Sequence, residues 1–180
     1  MKSIQKILFV CLAVFATALI STAFTEKQVN PGGEKSAEQN KEKAPAFSVT
    51  SVEGEKFSLK KSLEEEKPTV IYFTASWCPM CAKNWPALSE VYPEYKDKLN
   101  LISISIDPTD DKEVMEKLSK QKGFSYPVAP GNPKVMVDFG VKSQATTVGI
   151  DKNGYIAFRK NKTVLSADDY RELFDKLTKQ

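Results

Sequence analysis

From Pro68 to Ala75 the chain reads PTVIYFTA, and immediately after Ser76 comes Trp77-Cys78-Pro79-Met80-Cys81. No other stretch constrains the fold as tightly. A continuous β-prone run without polar alternation describes a strand buried on both faces, so its sheet needs cover on both sides. Pro79 suits the first turn of a helix, where a missing N–H costs nothing, and the spacing predicts a helix from about Pro79 to Lys98. Cys78 then stands at a helix N-terminus, where unpaired N–H groups and the helix dipole favour a thiolate and lower its pKa. Cys81, one turn further in, is the expected buried partner, and Trp77 offers a flat apolar platform beside the nucleophile.

The flanking pattern alternates. AFSVTSVEGEKFSL, around Glu53-Gly54, reads as a hairpin. LISISID (101–107) is a second buried strand. Asp110 and Glu113 form a capping pair for a helix with Val114, Met115 and Leu118 on its apolar side, ending at Gly123. A Pro-rich loop, SYPVAPGNP, leads to a short helix near Val135 to Phe139. TTVGID and YIAFRK flank Lys152-Asn153-Gly154, an antiparallel hairpin signal. The last helix opens with Ser166-x-x-Asp169 and carries Tyr170, Leu173, Phe174 and Leu177 on one stripe. These elements make an α/β sandwich whose sheet is parallel in its first half and antiparallel in its second.

The N-terminus differs in kind. Lys2 and Lys6 precede an apolar run from Ile7 to Ile20, then Ser21-Thr22-Ala23, the layout of a secretory signal over residues 1–23. The competing reading is an uncleaved anchor, since the 18 residues from Ile7 to Phe24 sit at the lower edge for spanning a bilayer. Residues 24–45 are polar, contain Gly32-Gly33 and bury almost nothing, which suits a flexible tether. The folded domain is expected over 46–180. The net charge of +3 falls to about +1 without Lys2 and Lys6, which gives no case for nucleic acid as a partner.

Cysteine and histidine arithmetic then narrows the chemistry. Of three cysteines, Cys11 lies inside the apolar leader, and there is no histidine. Histidine triads and His metal ligands are therefore excluded. A structural zinc needs four Cys or His ligands, so a complete site within one chain is out, though one shared between two chains is not. As a staple, a two-residue spacing closes too small a ring to stabilise much. A redox pair is the reading that survives best, in a compartment that is often oxidising.

Trp77-Cys78-x-x-Cys81, preceded by VIYFTAS and followed by Pro86 five residues after Cys81, resembles the thioredoxin fold. The N-terminal hairpin, ISIDP after the second strand and FGVKSQATTVGIDKNGYI narrow the resemblance, over about Pro45 to Gln180, to the TlpA/ResA/CcmG-type thiol-disulfide oxidoreductases. That resemblance implies a three-layer α/β/α sandwich with a mixed central sheet and an N-terminal β-hairpin. It implies a catalytic Cys78/Cys81 dithiol–disulfide cycle with no cofactor and no metal. Trp77, Pro79, Met80, Asn84 and Pro86 would support the pair, and client backbone would meet Gln144, Ala145 and Thr146. Clients would be disulfide-containing exported proteins, including cytochrome c precursors, in the bacterial periplasm or on the outer face of the membrane. Electrons would come from a membrane donor, with a possible tether through residues 7–24.

Three positions depart from that pattern. Ala145 stands where the family has a cis-proline, and a cis bond before alanine costs about 2.5–4 kcal/mol, so a trans Gln144–Ala145 peptide is expected. Asn84 stands where many relatives have glutamate. Tyr72 stands where thioredoxins keep a buried aspartate, leaving no obvious carboxylate to take the proton from Cys81; Lys83 is expected to face solvent. Met80, in place of the histidine of strong oxidants, leans the pair toward a reducing or middling potential. It is equally an adaptable apolar contact for clients. Besides a reductase, the residues leave open an oxidant running the same cycle backwards and a non-catalytic module holding client thiols or a metal. A peroxidase is the remotest alternative, for want of an arginine beside Cys78.

Overall fold

The computed structural model describes residues 41–179. The expected signal segment 1–23 and the tether up to residue 40 lie outside the described residues. Among the described residues no helix is long and apolar enough to cross a membrane.

The buried run becomes strand β3 (Thr69–Thr74), with all six residues buried. It lies in the middle of a five-stranded sheet of order β5-β4-β3-β6-β7. β4 (Asn100–Ser105) runs parallel to it, with Tyr72 opposite Ser103, and β5 (Val128–Ala129) runs parallel to β4. β6 (Thr146–Ile150) is antiparallel to β3, with Tyr72 opposite Thr147, and β7 (Ile156–Lys160) is antiparallel to β6. The mixed sheet read from the sequence is the one observed.

Alternation along β3 divides the core in two. Val70 and Tyr72 join a layer with Cys78, Cys81, Trp85 and Leu88 of α2 (Pro79–Tyr95), Met115 of α3 (Lys112–Lys122), and Tyr170 and Phe174 of α5 (Ala167–Thr178). Ile71 and Phe73 join the opposite layer with Ile102, Ile104, Val148, and Val135 of α4 (Pro133–Asp138). Phe47, Val49 and Phe57 close that second layer from the hairpin β1 (Ser48–Thr50) and β2 (Lys56–Ser58). A short helix that the pattern did not suggest, α1 (Leu59–Glu64), follows directly, with Ser58 accepting from Lys61 N–H at 3.1 Å.

Two local readings change. The N-cap of α3 is Asp111, which accepts from Val114 N–H at 2.9 Å, and not Asp110 of the expected Asp110/Glu113 pair. Asp110 is drawn inward, as described below. The end of the polar stretch is also not free: Ile156 N–H donates to Glu42 O at 2.8 Å, Ala44 N–H donates to Gly154 O at 2.9 Å, and Ala44 is buried. Arg159 grips the Glu42 carboxylate (Nη2–Oε1 2.8 Å) and holds it below the usual carboxylate range.

The β6–β7 hairpin is antiparallel as Asn153-Gly154 suggested, but only Gly154 takes a positive φ, +85°. Asp151 Oδ1 accepts from Asn153 and Tyr155 N–H, each at 2.9 Å. An aspartate-initiated turn closed by one left-handed glycine does the work of a two-residue turn.

Candidate active site

The chain leaves β3 through Ala75 and Ser76 and turns at once into α2. Cys78 N–H donates to Ala75 O at 3.1 Å, closing the turn. Cys78 is the N-cap of α2, with extended backbone, and its sulfur accepts the N–H of Cys81 at 3.0 Å. A helix normally caps this N–H with a Ser, Thr or Asp oxygen; here a sulfur takes it, where a thiolate gains most. Cys78 and Cys81 are joined as a disulfide, their Cα atoms 5.2 Å apart. Cys81 is fully buried and Cys78 is 2% exposed, whereas Trp77 is 57% exposed. Pro79 occupies the first helical turn, exposed, and Met80 is half-buried against the core. Pro86 lies exposed inside α2, where it leaves the Ala82 carbonyl without its helical donor. Trp85 Nε1 donates to Thr74 Oγ1 at 3.1 Å and pins the helix to the end of β3.

Asn84 is fully buried and makes a clasp. Its Nδ2 donates to Thr163 O at 3.0 Å, and its Oδ1 accepts from Leu165 N–H at 2.8 Å and from Tyr170 Oη–H at 3.2 Å. A side-chain amide offers the donor and the acceptor that this backbone needs; a glutamate would set an acceptor against Thr163 O. Beyond the clasp, Thr163 N–H donates to Ala145 O at 2.9 Å and Lys162 N–H to Thr146 Oγ1 at 3.2 Å, while Thr146 Oγ1 donates to Ser143 O at 2.9 Å. A hydrogen-bonded path thus runs from the helix of Cys81 to the expected client ledge.

On that ledge the Gln144–Ala145 peptide is trans, and Ala145 has φ +56°. A left-handed alanine costs about 1–2 kcal/mol, held here by burial in the same apolar cluster as Cys78 and Cys81 and by the Thr163 bond. Ala145 and Thr146 are fully buried and Gln144 half-buried. Of the three expected ledge residues only Gln144 therefore presents surface to a client.

Tyr72 lies beneath the site with its hydroxyl buried and without a hydrogen-bond partner, as is that of Tyr126. Burial, then the neighbouring Tyr170, pushes the Tyr72 phenol far above its ordinary pKa, so it offers no base. Lys83 is exposed, as expected.

Two carboxylates that the sequence reading did not place at the site stand behind it. Asp107 accepts from Trp77 Nε1–H at 2.6 Å, and Asp110 from Ser76 N–H at 2.8 Å and Ser76 Oγ–H at 2.6 Å. The Thr109 hydroxyl and N–H, then the Trp77 indole, hold the Asp107 carboxyl below the usual range. Asp107-Pro108-Thr109 carried a visible turn signal, since aspartate bonds the backbone two residues on; nothing local linked it to Trp77, thirty positions away.

A mixed sheet whose central strand feeds a C-x-x-C at a helix mouth defines the thioredoxin class. A solved thioredoxin-family thiol:disulfide interchange protein from Chlorobium tepidum superposes with a TM-score of 0.69 at 21% identity, over 79% of this chain and 99% of that one. The chain belongs to the AhpC/TSA family, whose profile matches residues 41–159. It is 35% identical over 115 residues to the thiol-disulfide oxidoreductase ResA of Bacillus thuringiensis, covering 63% of this chain and 64% of the length of that relative. With ResA of Bacillus cereus the identity is 33% over 138 residues, 76% of this chain and 77% of the relative.

Proposed function

We propose that the protein is an exported thiol-disulfide oxidoreductase that reduces disulfides in extracytoplasmic clients, cytochrome c precursors among them. The observation that carries this reading is the Cys81 N–H aimed at the Cys78 sulfur at 3.0 Å, with both cysteines in one disulfide. The kinship to proteins named ResA supports it. In the reduced protein the Cys78 thiolate attacks a client disulfide, forming a mixed disulfide and expelling one client thiolate, which takes up a proton. Cys81, giving up its own proton, then attacks Cys78 Sγ and expels the second client thiolate. Two electrons pass to the client, and the pair is left as the Cys78–Cys81 disulfide. A membrane thiol donor returns two electrons and two protons. Trp77, exposed beside the pair, gives the client an apolar face to dock on, and Gln144 marks the edge of the ledge. The leader 1–23 carries the chain across the membrane, and the polar stretch 24–45 spaces the domain from it.

The test is trapping. Full-length Cys81→Ser expressed in a bacterial host should accumulate mixed disulfides visible on non-reducing gels, absent from the Cys78→Ser/Cys81→Ser double variant. If Cys81→Ser traps no client while the wild-type pair is held as a dithiol in the same cells, the reductase reading fails.

A further inference from the structure

The Ser76–Trp77 dipeptide ahead of Cys78 is held from behind by the loop linking β4 to α3. Asp110, 2% exposed, is its centre. Its Oδ2 accepts from Ser76 N–H at 2.8 Å and from Ser105 Oγ–H at 2.5 Å, and its Oδ1 accepts from Ser76 Oγ–H at 2.6 Å. Backbone bonds fix the carboxylate from the other side: Asp110 N–H donates to Asp107 O at 3.0 Å, and Gly131 N–H donates to Asp110 O at 2.7 Å. Gly131 approaches so closely that a β-carbon there would lie 1.8 Å from Asp107 O, so this contact admits glycine alone.

All the donors to Asp110 are neutral, and it belongs to none of the ion pairs among the described residues. Holding Ser76 needs only an acceptor, which an asparagine supplies without the cost of burying a charge. A carboxylate brings a formal charge as well, and the residue it grips, Ser76, lies two positions before Cys78. The charged side chains of the β4–α3 loop are Asp107, Asp110 and Asp111, those of α2 are Lys83, Glu90 and Glu94, and the α4–β6 loop carries Lys142. Of these Asp110 alone is buried, where screening is weakest.

The structure assigns Asp110, we infer, the role of a positioning residue with an electrostatic task. It fixes the Ser76 peptide, and with it Cys78 at the mouth of α2, while its charge opposes build-up of the Cys78 thiolate. The helix terminus draws Cys78 toward thiolate and Asp110 pushes it back. A disulfide is a strong oxidant when its reduced form is stabilised; disfavouring the thiolate has the reverse effect and keeps the pair reducing. This role rests on the redox reading of the Cys78–Cys81 pair.

The test compares full-length wild type, Asp110→Asn and Ser76→Ala in glutathione redox buffers, with Cys78 ionisation followed by thiolate absorbance. Asp110→Asn preserves an acceptor and removes the charge. It should shift the equilibrium about tenfold toward the dithiol, ~30 mV for a two-electron couple, and ionise Cys78 at lower pH. Ser76→Ala keeps the charge and loses one donor, so it should move the equilibrium by less than about threefold. A purely structural Asp110 would lower the melting temperature in both variants without moving either redox readout, and that result overturns the assignment. Should Asp110→Asn fail to fold, Asp110→Ser, which removes the same charge and keeps a hydroxyl acceptor, should shift the equilibrium in the same direction; no shift overturns it equally. If the wild-type pair does not exchange with glutathione at all, the redox reading itself fails.

Discussion

The two faces of the sheet are built from the same strands and do different work. On one, Ile71 and Phe73, Ile102 and Ile104, and Val148 meet Phe139 and the hairpin, with Phe73 and Phe47 ring centroids 6.1 and 5.9 Å from that of Phe139. On the other, Tyr72 is flanked by Ser103 and Thr147, so a row of hydroxyls crosses the three middle strands under α2 and α5. Thr147 reaches Tyr170 at 3.4 Å, while the Tyr72 and Ser103 hydroxyls are buried without partners. An apolar face can be optimised for packing alone. The face that carries the cysteines keeps polar groups in its core and gives up stability for them.

The contrast breaks first at Phe73. Phe73→Ala should cost about 3–5 kcal/mol in urea unfolding, since the ring is fully buried and bridges the sheet to Phe139. The surviving folded fraction should keep the wild-type redox equilibrium with glutathione, because the lesion lies across the sheet from the pair. A loss below about 1 kcal/mol would show that the apolar face is not the stabilising one.

On the other face the largest effect is expected at Asn84. Asn84→Asp turns an acceptor toward Thr163 O and buries a carboxylate, so unfolding should become easier by about 3 kcal/mol. Because Thr163 also holds Ala145, the proposed client reduction should show KM rising more than kcat falls. Equal losses in Asn84→Asp and Phe73→Ala, with KM unmoved, would remove the link between clasp and ledge.

The sequence carried the sheet and marked the paired cysteines but not the fastenings around them. VIYFT and ISIS announce themselves because burial on both faces leaves a continuous apolar run. Cys78 and Cys81 follow from spacing and from Pro79. α1 was hidden because Leu59 and Leu63 are its only apolar residues, too few for a period. β5, two residues long, lay inside a Pro-rich stretch. Asp110 looked like a cap because Asp110-Asp111 offers two candidates side by side, and only the fold decides which turns inward. Its partner Ser76 is 34 positions away, and the clasp partners of Asn84, Thr163, Leu165 and Tyr170, are 79 and more. Local pattern contains no trace of contacts at such separations.

A smaller effect is expected at the start of α5, which roofs the hydroxyl-bearing face. The Ser166 hydroxyl, then its N–H, holds the Asp169 carboxyl below the usual range, at 2.7 and 2.8 Å. A folded pKa below the unfolded value, about 3.9, means that the contribution is complete above that value and is lost as pH falls through the depressed one. Wild type should therefore lose more stability than Ser166→Ala between pH 5 and the acid limit, in parallel urea titrations. Coincident acid curves would mean that the capping box contributes nothing measurable.

The smallest effect is the sharpest probe of the comparison. Tyr72→Phe removes one oxygen from a fully buried ring of the same shape, and that oxygen has no partner. An unpaired buried hydroxyl costs free energy, so its removal should change stability by less than about 1 kcal/mol, and toward greater stability. The same deletion at a hydroxyl doing structural work would cost about that much in the other direction. The folded face should thus tolerate Tyr72→Phe better than it tolerates any change at Asn84, although both side chains are buried in one layer. Destabilisation by more than about 1 kcal/mol would mean that the Tyr72 hydroxyl is bonded in solution, and that this face is polar because its hydroxyls hold it together. Unchanged or raised stability with slower release of client thiol would place the oxygen there for the chemistry of Cys81.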